Sequence, residues 1–116
     1  AIMYAIYKGA NIMASGTGIC NPLMNTIYHL GYVAEVKQCF HALRKGKQSN
    51  DTITLSNGMK LNMQYDGDSV VDIRLYDGGE MIEYGMYDRA NLRAMLRRYT
   101  KYCEADKASA ARHNLS

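Results

Sequence analysis

Arg89, Arg93, Arg97 and Lys101 recur at every fourth position of a segment patterned as a helix, so they share one stripe with no acid among them. Like charges four apart on a helix cost about a few tenths of a kcal/mol per pair, where interleaved Glu and Lys would gain a similar amount. Such a stripe performs recognition, not bond making: it offers guanidinium and ammonium groups to an anion outside the helix. That anion can be nucleic acid, an acidic protein or the chain's own strands. The last alternative is concrete. Thr52 to Tyr87 carries Lys60 and Arg74 against Asp66, Asp68, Asp72, Asp77, Glu80 and Glu83, while Asp88 to Cys103 carries five cations against Asp88 alone. An acidic sheet packed on a basic helix with opposite rims in contact would account for both segments.

Residues for covalent chemistry are poorly arranged. His29, His41 and His113 stand apart, and Cys39 and His41, two positions apart, point in different directions on a helix and form no nucleophile and base pair. Cys20, Cys39 and Cys103 lack C-x-x-C spacing and no H-x-x-x-H pair occurs, so neither a metal site nor a disulfide framework is expected, and the setting reads as reducing and cytoplasmic. Gly16-Thr17-Gly18, followed by Asn21 and Pro22, has the strand, G-x-G and helix order that offers backbone N–H groups to phosphate, yet it lacks the third glycine and any G-K-[ST]. A nucleotide-binding or sequestering role for the Gly16 to Asn21 turn therefore ranks third among the functional readings. No enzyme and no cofactor are expected.

Tyrosine is the more informative residue. The chain has 10 Tyr, 1 Phe and no Trp, and Tyr joins apolar area to a polar tip, the combination enriched at recognition surfaces. Tyr76 beside Arg74 on the polar sheet face, and Tyr87 and Tyr102 near the basic helix, are the instances of interest; hydroxyl-bearing core residues at the domain edge are the plainer explanation. The expected partner-binding set is Arg89, Arg93, Arg97, Lys101, Arg74 and Tyr76.

The elements that must position these residues follow from spacing. Tyr4 to Lys8, the turn Gly9-Ala10-Asn11 and Ile12 to Ala14 predict a short hairpin. Asn21 as N-cap with Pro22 at the first helical position starts a helix whose apolar face is Leu23, Ile27, Leu30, Val33, Val36, Phe40 and Leu43; Gly31 inside it predicts a possible break into two pieces. Arg44, Lys45 and Lys47 around Gly46 mark its end. Turn signals at Asn57-Gly58, Asp66-Gly67 and Asp77-Gly78-Gly79 then divide four strands into an antiparallel meander. Its apolar face is predicted as Ile53 and Leu55; Met59, Leu61 and Met63; Val71, Ile73 and Leu75; and Ile82, Tyr84 and Met86. The other face carries Thr54, Lys60, Asn62, Gln64, Asp72, Arg74, Tyr76 and Glu83. Asp88 caps the final helix, which lays Leu92, Met95, Leu96, Tyr99 and Cys103 on the sheet; from about Ala105 the tail is expected to fray. With 116 residues, 47% of them hydrophobic, the chain can bury one core, so a single α+β domain over 1–116 is expected. No apolar run approaches the roughly 18 residues of a membrane span.

Tyr4-Ala5-Ile6-Tyr7-Lys8-Gly9 followed by Ala14-Ser15-Gly16-Thr17 resembles the opening of many small accessory proteins of bacteriophages and prophages, over about fifteen residues. Those proteins continue into a short helical stretch of helix-turn-helix type, from which Asn21 to Leu30 departs. The resemblance implies a viral accessory role in the host cytoplasm, in which small proteins bind and block a host enzyme or defence complex, CRISPR effectors included. The leading expectation is thus inhibition of a host protein or nucleoprotein complex through the basic helix face, and the runner-up is a regulatory protein binding nucleic acid directly with that helix.

Overall fold

The computed structural model describes residues 22–115. The hairpin expected over Tyr4 to Ala14 and the Gly16 to Asn21 turn lie outside the described residues. Helices α1 (Pro22–Leu30) and α2 (Val33–His41) precede strands β1 (Ser49–Thr54), β2 (Lys60–Tyr65), β3 (Val70–Asp77) and β4 (Glu80–Asp88), and helix α3 (Arg89–Leu115) closes the chain. The sheet is antiparallel in the order β1-β2-β3-β4, giving the α+β meander that the turn signals predict. All three helices lie on one sheet face, where Leu61, Met63, Val71, Ile73 and Leu75 meet Leu23, Ile27, Val36, Phe40, Leu92 and Leu96 in one core.

Gly31 divides the first helical region. It sits at φ +88°, its N–H donates to the Tyr28 carbonyl at 3.1 Å, and the Tyr32 N–H donates to the Ile27 carbonyl at 3.0 Å. This pair of bonds is the Schellman ending, which needs a left-handed residue where glycine carries no steric cost. Tyr32 then fixes the new direction: its hydroxyl lies 2.9 Å from the Ser56 hydroxyl and accepts the Asn57 N–H at 3.0 Å, tying α2 to the β1–β2 turn.

Strand β4 departs from the predicted alternation. Tyr84 and Met86 stand opposite Arg74 and Asp72 on the outer face, whereas Gly85 and Tyr87 stand opposite Ile73 and Val71 on the core face. Glu83, expected outside, pairs with Leu75 on the helix side and accepts a hydrogen bond from the Thr26 hydroxyl of α1 at 3.3 Å. The cause is twofold. An irregularity at Leu75/Tyr76 shifts the register, and the ring of Tyr87 lies across Gly85, filling the core position that a longer side chain at 85 would take. A Cβ at position 85 would come within 2.7 Å of two Tyr87 ring carbons, and Tyr87 is buried. Gly85→Ala should therefore cost about 1–3 kcal/mol by overpacking, read as a lowered urea midpoint at unchanged slope.

Helix α3 continues through Leu115, past the point from which fraying is expected, and its 27 residues span about 40 Å. Tyr28, Tyr99 and Tyr102 cluster with ring centres 5.4–5.9 Å apart, Tyr102 edge to face with the other two and Tyr28 tilted against Tyr99, and the Tyr28 hydroxyl donates to the Asp106 carboxylate, anchoring the helix one turn beyond the core. That bond, with Asp106 as acceptor, holds the Tyr28 hydroxyl's pKa up at about 12.

Candidate anion-binding cleft

Helix α3 begins at Asp88, whose carboxylate accepts the Ala90 N–H at 3.1 Å, and the Arg89 N–H donates to the Ser69 carbonyl at 2.6 Å. These bonds set the helix phase, and Leu92, Met95, Leu96 and Tyr99 bury the stripe that locks it on the sheet. Every fourth residue advances about 40° around a helix of 3.6 residues per turn, so the cationic row drifts as it climbs. Its four members consequently have different surroundings. Arg89 is half-buried, with its guanidinium carbon 5.5 Å from the centre of the Tyr65 ring and a buried Nε that has no hydrogen-bond partner among the described residues. Arg93, Arg97 and Lys101 are exposed.

Among the described residues, no carboxylate forms an ion pair with any of these four cations. Several of the nearby acids are engaged elsewhere. Asp66 accepts the backbone N–H groups of Asp68, Ser69 and Val70 at 2.8, 2.9 and 3.0 Å. Asp72 takes Arg74 Nε at 3.4 Å and the Tyr84 hydroxyl at 3.1 Å, Asp88 caps its own helix, and Glu83 receives Thr26. Among the described residues, the carboxylates of the sheet do not clamp the stripe; the sheet touches it through Tyr65 against Arg89.

Asp66 supplies a test of this assignment of acids. Its bond from the Asp68 N–H, with those from Val70 and Ser69, holds the carboxyl below the usual carboxylate range. A carboxyl lowered on folding contributes stability that is complete above its unfolded value of about 3.9 and is lost as pH falls through the folded value, because the unfolded chain then binds the extra proton. The melting-point advantage of the wild type over Asp66→Asn should be constant above about pH 5 and shrink on acidification below about pH 4. An advantage independent of pH would contradict it.

The six residues singled out by spacing divide into two places. Arg74 and Tyr76 lie on the outer sheet face, away from all three helices, where Arg74 is held by Asp72 and has its guanidinium carbon 5.6 Å from the Tyr84 ring centre. Burial first, and the Asp72 hydrogen bond second, push the Tyr84 hydroxyl up. The outer face is otherwise an amide ladder: Asn62 Nδ2 donates to Asn50 Oδ1 at 2.8 Å and to the Thr52 hydroxyl at 2.9 Å, and Gln64 Nε2 donates to Asn62 Oδ1 at 2.9 Å. Tyr87, expected near the basic helix, is in the core.

Arg93 and Arg97 instead face residues that sequence reasoning missed. Together with Lys37 and His41 of α2 they line a cleft of about 270 Å³ whose floor is Phe40 and Leu96. Lys37 and His41 are four apart along α2, on the flank beside Val33, Val36 and Phe40, which anchor the helix in the core. The Arg93 guanidinium carbon stands 6.0 Å from the Phe40 ring centre, a cation–π contact, and the His41 ring is tilted 54° to that of Phe40 at 6.1 Å. No acid lines this cleft. A neighbouring groove of about 420 Å³ between the same helices shares Lys37 and His41 and adds Lys107, with Glu104 its one acid. The loop after α2 carries Arg44, Lys45 and Lys47, all exposed and outside both cavities, and is docked by the Gly46 N–H donating to the Gly67 carbonyl at 2.6 Å. Gly67 itself is at φ +91° with the Lys47 backbone 3.1 Å from where a Cβ would stand, so the close approach requires glycine.

Among the described residues there is no group of three His, Cys, Asp or Glu able to hold a metal ion, and no helix is long and apolar enough to cross a membrane. Cys39 and Cys103 are half-buried free thiols, and burial, followed by the charge of Asp51, pushes the Cys39 thiol up, away from nucleophile chemistry. No protein-family model, curated protein or solved structure matches the chain.

Proposed function

We propose that this protein is a non-enzymatic binding module that docks an anionic surface of a host protein or nucleoprotein complex in the α2–α3 cleft and along Arg93, Arg97 and Lys101, and thereby inhibits that complex. One observation carries the reading: cations from two separate helices converge on an apolar floor with no carboxylate of their own to meet them. A folded chain that concentrates positive charge in this way spends stability on it, and the return is electrostatic complementarity with a partner, in on-rate and specificity. Arg, which pairs bidentately with carboxylate or phosphate and stacks on aromatic rings, is the residue expected at the centre of such an interface. Inhibition, and a host as the source of the partner, rest on the resemblance of the N-terminal residues to phage accessory proteins.

Direct nucleic-acid binding is the second reading, favoured by the second wall that Lys37 and His41 add, since two cationic walls suit a linear polyanion better than one stripe does. Titration of labelled duplex and single-stranded DNA at two salt concentrations separates the readings. Tight binding to bare DNA with a steep salt slope selects the second, and capture of a defined complex much more tightly than its bare nucleic acid selects the first.

A further inference from the structure

We infer that the cleft between α2 and α3 is a seat for one nucleotide, its phosphate held by Lys37 and Arg97 and its base stacked against His41 and the Arg93 guanidinium that covers Phe40. This deepens the proposed function and rests on it, naming the chemical group by which a nucleoprotein or nucleic-acid partner is held.

The cleft combines two features that a general acidic patch would not need together. The first is charge: Lys37, Arg93 and Arg97 stand around one small space, and the lining contains no acid to offset them. One carboxylate neutralises one of these, whereas a phosphate monoester brings about −1.5 to −2 and three oxygens that can be shared among several donors. The second is a pair of flat, exposed side chains, the Arg93 guanidinium and the His41 ring, above a buried apolar floor. Phe40 and Leu96 form the floor, Arg93 stacks on Phe40, and the exposed His41 ring stands beside them. Unpaired bases are held on histidine rings and arginine planes, and stacking tolerates any base because each has a π face. At about 270 Å³ the space falls just under the roughly 300–1,000 Å³ of sites for drug-sized ligands, so it admits a single nucleotide and not a stacked pair. The neighbouring groove, sharing Lys37 and His41 and adding Lys107, gives a following phosphate a cationic path. A free nucleotide and the unpaired, phosphorylated end of a strand present the same chemistry.

The test is titration of the full chain with adenosine monophosphate, adenosine, inorganic phosphate and a trinucleotide with and without its 5′-phosphate, followed by calorimetry and by backbone amide chemical shifts. We expect saturable 1:1 binding of the monophosphate with shifts centred on Lys37, His41, Arg93 and Arg97. Adenosine and phosphate should each bind at least ~10-fold more weakly, because each keeps only one of the two recognition modes. Lys37→Ala and His41→Ala, both partly or fully exposed and outside the core, should each lower the affinity ~5-fold or more at unchanged melting temperature. A trinucleotide that gains ~10-fold from its 5′-phosphate assigns the seat to strand ends, and equal binding of monophosphate and trinucleotide assigns it to free nucleotide. Inorganic phosphate binding as tightly as the monophosphate, or shifts scattered over the surface without saturation, would overturn the inference. If the monophosphate fails while Arg93→Glu/Arg97→Glu still destroys capture of the complex, the seat is wrong and the proposed function stands; if capture is indifferent to those reversals as well, both fall.

Discussion

Reversing two charges, Arg93→Glu with Arg97→Glu, should weaken capture of the partner complex at least ~100-fold while the melting temperature moves by no more than about 5 °C. The two side chains are exposed, share one cleft and have no carboxylate partner among the described residues, so their removal breaks no internal ion pair. What the fold loses is the stacking of Arg93 on Phe40, worth about 0.5–1 kcal/mol, and this is partly offset by relief of like-charge repulsion along the helix. What the interface loses is larger, because each reversal turns an attraction into a juxtaposition of like charges costing several kcal/mol, and two in one pocket act on the same partner group. Surface binding assays on both variants, paired with thermal melts, check the separation. A double variant that unfolds would mean that the stripe is held internally, and one that binds normally would mean that it is idle.

A comparable effect on the fold is expected from Leu92→Ala. Leu92 is fully buried where the first turns of α3 cross the sheet, and truncating such a side chain costs about 2–5 kcal/mol through lost burial and the cavity left behind. A domain of this size has only about 5–15 kcal/mol of stability in all, so at the middle of both ranges the variant loses about a third of it. Urea denaturation reads the loss as a lowered midpoint at constant slope. Leu30→Ala is the internal comparison: Leu30 is 39% exposed at the end of α1, and its truncation should cost less than about 1 kcal/mol. Equal losses at the two positions would show that α3 is not locked to the sheet by this stripe, and the phase that aims Arg93 and Arg97 into the cleft would need another origin.

Much of this architecture could be read from residue order alone, and the exceptions have physical causes. Glycine and its neighbours carry local information, so Gly31 marks the helix break and the Asn-Gly and Asp-Gly pairs mark the hairpins. Alternation misplaces strand β4 only beyond Ile82, which packs against the core as predicted; it assumes unbroken register, whereas one irregularity at Leu75/Tyr76 and one large ring over Gly85 put Tyr84 and Met86 outside and Gly85 and Tyr87 inside. The same exchange puts Tyr84 beside Asp72 and Arg74, away from the core. Arg74 and Tyr76 were grouped with the helix stripe on charge and residue type, yet strand alternation already placed them on the face opposite the apolar one, where the helices pack. Lys37 and His41 have a legible signal, two basic residues four apart on α2, but what they face depends on how two helices distant in sequence cross. No local pattern contains that. The tail was expected to fray because its composition is small and polar; a tyrosine 78 positions earlier supplies the anchor at Asp106.

Arg93 and Arg97 meet no carboxylate among the described residues and so are available to an external anion. Melting temperature as a function of chloride concentration, compared between the wild type and Arg93→Gln/Arg97→Gln, tests it with the protein alone. An unpaired, self-repelling stripe predicts that the melting temperature of the neutral variant, taken relative to the wild type, is highest at ~10 mM salt and falls by about 1–4 °C by ~300 mM as screening shortens the reach of each charge, whatever constant offset the lost Phe40 contact adds. A relative melting temperature that instead rises as salt is added would mean that Arg93 and Arg97 are held by carboxylates of this chain and are not open to an external anion.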